Sequence, residues 1–211
     1  MANANKIPDF AKMASDLKKD AQRYASSESV KFFKESFINE GFTDSSFTPW
    51  KKTNNPMMGK RTLYKNGTLM QSVRKKEETP QHIVIESDLP YSEIHNNGGF
   101  IIVTAKMKKF FWAKYIEFAG IKKDDTGKTN WNDWTNIKTN KKGDRASLSS
   151  KNKTISSKAK FFKAMALKPV GSKIKIDKTQ FMGNSKIMMS SFETWWIGNI
   201  DVVFKQNLNS K

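Results

Sequence analysis

The sequence predicts an α+β fold, with a long helix at each end, short strands between them and a basic arm inserted at about 120–160. Three observations predict it. Apolar residues recur at helical spacing from Asp9 to about Asn39, a β-branched run from Gln81 to Ser87 lies between Pro80 and Pro90, and a second helical stripe runs from Ser185 to about Leu208.

The N-terminal stripe comprises Phe10, Met13, Ala14, Leu17, Ala21, Tyr24, Val30, Phe33 and Phe37, with no Pro or Gly between Asp9 and Glu40. It reads as one amphipathic helix, or two joined near Ser26 and Ser27. Asp9 after Pro8 is the expected N-cap, and Gly41 the expected stop. The following stretch, from Gly41 to Lys76, is rich in Pro, Gly, Asn and Thr and reads mostly as an ordered loop, with Phe47 and Trp50 tucked against the core. Within it, Thr68 to Val73 forms a short helix that turns Leu69, Met70 and Val73 inward. A strand near Ser72 to Glu77 then pairs with the 81–87 strand through a turn at Glu78, Thr79 and Pro80.

After Gly99, Phe100 to Thr104 reads as a strand and Phe110 to Phe118 as an aromatic-rich helix. From Gly120 to Lys160, Lys, Asn, Ser, Thr and Asp dominate, with Trp131 and Trp134 as isolated anchors, which marks the arm as one ordered against a partner. Phe161 to Leu167 fits either element type. Lys173 to Ile176 alternates as a half-buried strand does. The last stripe carries Ile187, Met188, Phe192, Trp195, Trp196, Ile200 and Phe204, and Gly198 is its weak point.

A chain of 211 residues fits one domain, 1–211, with the arm as its embellishment. The hydrophobic fraction is 37%, yet 15 Phe and 6 Trp can build a core from a few large side chains. There is no cysteine, which excludes disulfides, thiolate chemistry and Cys-based zinc sites. No apolar run reaches the ~18 residues of a membrane span, and the opening MANANKIPDF lacks the order of a signal peptide. The expectation is a soluble protein with no membrane partner. The net charge of +18 attracts polyanions and acidic protein surfaces without choosing between them.

Residues 90–99, PYSEIHNNGG, pose the one catalytic question, because His95 stands two positions from Glu93. Pro90 and the Asn-Asn-Gly-Gly exit suggest one helical turn, on which positions i and i+2 point apart. No companion motif supplies a nucleophile or a second base. His82 lies thirteen positions away on a strand without a carboxylate cluster, Asp124-Asp125 lacks the spaced ligands of a calcium loop, and Gly127-Lys128-Thr129 lacks the upstream glycine of a phosphate loop. No catalytic residue, cofactor or metal is therefore expected. The arm, with Trp131, Trp134, Lys138, Lys141, Lys142, Arg145, Lys151 and Lys153, could hold a phosphate backbone or dock an acidic protein; the close Trp spacing and lack of a nucleic-acid reading motif favour docking.

Motif order adds a resemblance. Phe47-Thr48-Pro49-Trp50-Lys51, then Lys60 to Val73 (KRTLYKNGTLMQSV), then Tyr91 to Gly99 (YSEIHNNGG) are similar in order and spacing to the phage virion morphogenesis or tail-completion family, which runs from a W-x-P/K loop through L-x-x-x-G-x-L-x-x-S-I/V to Y-A/S-x-I/Y-H-x-x-G-G. Gly171 to Gly183 looks like the family's I-P-x-R-x-F-L/I/M-G segment, with Asp177 and Thr179 in place of Pro and Arg, and with Phe181 and Gly183 matching. The resemblance covers most of the chain outside 100–160.

This resemblance implies a non-enzymatic virion assembly protein, a tail-completion or neck subunit in which long helices pack on a small antiparallel sheet. Such subunits form a homo-oligomeric ring, typically a hexamer, between the tail tube or tail terminator and the head connector or portal side, with DNA contacted non-specifically in the lumen. The expected interface residues are Trp131, Trp134, Lys138, Lys141, Lys142 and Arg145 of the arm, Tyr91, His95, Gly98 and Gly99 of the turn, and Phe181 and Gly183. The alternatives are a basic nucleic-acid-binding module and, more distantly, a hydrolase using Glu93 and His95.

Overall fold

The computed structural model describes residues 9–53, 55–58, 61–79, 81–121 and 156–209. The fold is mixed helix and sheet, with a long helix near each end and three antiparallel two-stranded ribbons among the described residues. The chain gathers into two compact units: residues 1–52, 59–99 and 177–211 form the first, and residues 53–58 and 100–176 the second.

The first unit begins with α1 (Phe10–Asn39), one unbroken helix. Asp9 caps it by accepting the Lys12 N–H at 3.0 Å. Its inward face is built from Leu17, Ser26, Ser29, Phe33, Ser36 and Phe37, and the buried serines at positions 26, 29 and 36 leave room for close neighbours. The helix ends one residue before the expected stop. Glu40 itself adopts the left-handed conformation (φ 54°), while Gly41 opens the next strand, where an added Cβ would collide with the Phe47 ring and the Thr48 carbonyl.

Strands β1 (Gly41–Thr43) and β2 (Phe47–Pro49) form a hairpin within the stretch expected as loop. Trp50 is buried as expected, but Phe47 is 48% exposed, because every residue of β2 faces solvent. The short helix α2 (Thr68–Ser72) buries Leu69 and hands over to β3 (Val73–Glu78), which pairs antiparallel with β4 (Ile83–Ser87) and carries a bulge between Lys75 and Glu77. The helix α3 (Ser92–Asn97) follows, and α6 (Lys186–Asn209) closes the unit. Asp44 starts α6 by accepting the Lys186 N–H with its carboxylate (3.0 Å), and Ser185 Oγ accepts from Met188 N at 3.1 Å.

α1 packs on the β3–β4 ribbon and on α6. The two long helices run antiparallel, since Tyr24 stacks on Trp195 (4.5 Å between ring centroids) while Phe10 meets Phe204 at 6.3 Å. Their core joins Phe33, Phe37, Phe42, Trp50, Leu69, Val73, Phe181 and Met188. Phe37 is its centre, 4.9 Å from Phe181 and 5.6 Å from Trp50. Each such ring removed from water contributes about 1.5–3 kcal/mol. Gly198 does not interrupt α6, and no atom lies within 4 Å of where its Cβ would stand.

The second unit contains β5 (Gly99–Ile102) from its second residue on, α4 (Ala105–Ala119), α5 (Ser157–Leu167) and β6 (Lys173–Ile176), with β5 paired to β6. Thr104 caps α4 by accepting from Met107 N, and Gly120 ends it in the left-handed conformation. Residues 161–167 are helical, and the helix already begins at Ser157, inside the stretch expected as arm. Ser156 explains this start: its hydroxyl accepts from Ala159 N (3.2 Å) and donates to the Phe118 carbonyl (3.3 Å), tying the start of α5 to the end of α4. Phe118 and Phe162 stack with rings nearly parallel at 5.5 Å, over a small core of Tyr115, Ala159 and Phe162.

Candidate functional site

Three segments far apart in sequence converge within the first unit: the residues after β2, the turn at α3, and residues 177–184. The α3 turn is a single short helix, as Pro90 and the glycine exit require. Its His95 N–H donates to Tyr91 O and its Gly98 N–H to Ile94 O. Gly98 has φ 74°, and a Cβ there would stand 3.0 Å from the backbone nitrogen of Lys178, so both the conformation and the approach demand glycine.

The turn holds the later segment through its main chain and one side chain. The His95 carbonyl accepts from Thr179 N (2.8 Å) and from Thr179 Oγ1 (2.9 Å). Asn96 Oδ1 accepts from both Phe181 N and Met182 N at 2.9 Å. On the other side, the Trp50 indole N–H donates to Gln180 O at 2.7 Å, and Lys51 pairs with Asp177 at 3.0 Å. Residues 177–182 are thus held from two sides, and Phe181 is driven into the core.

The side chain of His95 takes no part in this clamp. It is partly buried with its ring edge-on to Tyr91 at 6.1 Å, and burial pushes its pKa below the usual 6.5. Glu93 is exposed, as successive positions of a helical turn dictate. His82 sits at the β3–β4 turn, where Nδ1 lies 3.1 Å from Thr79 Oγ1 and Nε2 3.5 Å from Glu77. Among the described residues no group of three or more His, Asp or Glu side chains is placed to hold a metal ion.

Beside the clamp lies an open cleft of about 370 Å³. Phe42, Asp44, Thr48, Pro49 and Trp50 form one wall; Lys178, Gln180 and Asn184 form the other. It has one acidic and one basic side chain at its rim.

The expected interface residues divide accordingly. Tyr91 is 42% exposed and available to a partner, while His95, Gly98 and Gly99 are partly buried in the turn. Phe181 is a correction: it is fully buried against Phe37 and cannot meet another molecule. Gly183 is exposed at φ 150°, folded against the Gln180 side chain. Trp131, Trp134, Lys138, Lys141, Lys142 and Arg145 lie outside the described residues.

Two features escaped the sequence reading. Asn96 carries the clamp, yet its neighbours Asn97, Gly98 and Gly99 make it look like ordinary turn chemistry. The second is the number of exposed apolar side chains along α6. Met188, Phe192 and Trp195 turn toward the core, while Ile187, Met189, Trp196, Ile197 and Val202 face solvent, and Phe204 is also substantially exposed. The composition did hold a signal: α6 has four charged residues in 24, so apolar positions occur all round it. Among the described residues no helix is long and apolar enough to cross a membrane. No family model, no curated protein and no solved structure matches this chain.

Proposed function

We propose that this protein is a structural virion assembly protein of a tailed phage or prophage, a tail-completion or neck subunit that acts as a homo-oligomeric ring and not as an enzyme. The observation that carries the reading is the exposure of large apolar side chains along α6. Ile197 is 69% exposed and Met189 53%, and with Ile187 and Val202 they leave large apolar side chains in water on several sides of the helix, an exposure that a monomer seldom keeps. Such exposure suits a surface completed by a neighbouring subunit.

The clamp supports the same reading from the inside. It spends the signature turn on holding residues 177–182, which leaves Tyr91 at the surface and gives His95 a structural place. Tail tube or terminator proteins on one side and head-connector proteins on the other are the partners this role requires. Light scattering and negative-stain imaging of the purified protein test it, with rings expected alone or on tail tubes. A chain that remains monomeric with tail tubes and connector particles both present would sink the reading. Replacing Ile197 and Val202 by Glu should abolish assembly while leaving the fold intact.

A further inference from the structure

The positive charge is unevenly shared along the chain. Residues 100–176 contain 19 of the 38 basic residues but 5 of the 20 acidic ones, and hold +14 of the net +18. Among the described residues of that unit Glu117 is the one carboxylate, already paired with Lys114 at 2.7 Å. The exposed lysines come from three elements: Lys106 and Lys109 on α4, Lys158 and Lys160 on α5, and Lys173 and Lys175 on β6. Lys173 and Lys175 alternate with the half-buried Ile174 and Ile176, so the strand turns both lysines to one face. Two residues of strand span about 6.7 Å, a length over which one strand of a duplex presents about two charges when measured along the helix axis.

We infer that the second unit binds nucleic acid through its phosphate backbone, without reading bases. The choice of lysine decides between polyanions. Protein interfaces are depleted in Lys and enriched in Arg, and the described part of this unit contains no Arg at all. Lysine acts as a flexible point charge, which suits phosphates met in any register. Several lysines also rest over aromatic rings, among them Lys158 over Phe118 (5.5 Å) and Lys173 over Phe100 (5.8 Å), which holds their stems against the unit while the charge stays in water. A small core under so one-sided a charge gains from a polyanion that relieves the repulsion, and released counterions drive the association.

This inference is independent of the self-assembly proposed above, because it concerns a different unit and needs no ring. The test uses the full chain and a fluorescent mixed-sequence DNA duplex of about 30 base pairs, titrated at several salt concentrations. The expected result is binding that weakens by about 10³-fold or more between roughly 50 and 200 mM salt. A variant with Lys106, Lys109, Lys160 and Lys173 changed to Gln should lower the salt slope by about 3–4. A control with the same charge change on α1, at Lys12, Lys18, Lys19 and Lys31, should stay within about threefold of the parent. All eight positions are exposed, so melting curves should not move. Equal weakening in both variants, or no binding by the parent, would overturn the inference. So would tighter binding to phosphatidylserine vesicles or to polyglutamate than to the duplex at the same salt.

Discussion

The two units use the same aromatic residues to different ends. In the first, Phe37, Phe42, Trp50 and Phe181 meet in one core, and hydrogen bonds from residues 50, 95 and 96 hold residues 179–182 across more than eighty positions of sequence. In the second, Phe118 and Phe162 stack between two adjacent helices, with lysines laid over the rings. The first unit balances 19 basic against 15 acidic residues; the second leaves its charge uncompensated. The difference teaches that the same rings can close a core through long-range hydrogen bonds in one unit and carry an uncompensated positive charge in the other.

The sharpest way to break this contrast is Phe181→Ala. It removes a fully buried ring from beside Phe37 and should destabilise the first unit by about 3–5 kcal/mol, read as a shift in denaturation midpoint. An unchanged midpoint would mean that the ring does not anchor residues 177–182. Phe162→Ala should destabilise by about 3 kcal/mol, and the loss of hydrogen-exchange protection should concentrate in α4 and α5 and spare α1.

Within the clamp, Asn96→Ala leaves the Phe181 and Met182 N–H groups without their acceptor and should cost about 1–3 kcal/mol. His95→Ala keeps the carbonyl that Thr179 uses, so its effect should be smaller and assembly should survive. If His95→Ala proved the more damaging of the two, the side chain would have a role the geometry does not give it.

The smallest effect expected is on pH dependence. Burial lowers the His95 pKa, so the folded chain resists a proton that the unfolded chain accepts near 6.5. The His95 contribution is therefore complete above about 6.5 and is lost as pH falls through the depressed folded value. Proton titration of the two histidines by NMR checks this, with His95 expected to titrate below its ordinary value. A His95→Asn variant should have a flatter stability profile between about pH 7.5 and 5.5.

The sequence revealed regular elements where their pattern was long. The stripe from Phe10 to Phe37 declared itself because one face of the helix is buried, and the run at 83–87 because it is β-branched, with every residue of β4 half-buried. The hairpin of β1 and β2 did not, since three-residue strands show no periodicity and β2 buries none of its residues. For the same reason Phe47 could not be told from Trp50: both are aromatic residues in a polar stretch, and the indole has a distant carbonyl to meet. Phe181 was recognised as significant but given the wrong role, because a resemblance marks a position without saying whether it faces inward. The Asn96 bonds were invisible for a plainer reason, as their partners lie 85 and 86 residues away.

The clamp also determines what the chain can tolerate. Residues 98 and 178 are brought side by side by bonds that belong wholly to the first unit, so the long excursion between them leaves and returns at a point closed without its help. Lengthening a loop whose ends are already fixed adds only about 0.6 kcal/mol for each doubling. The position therefore works as a graft site. A change in the length of that excursion should leave α1, the β3–β4 ribbon and α6 in their places.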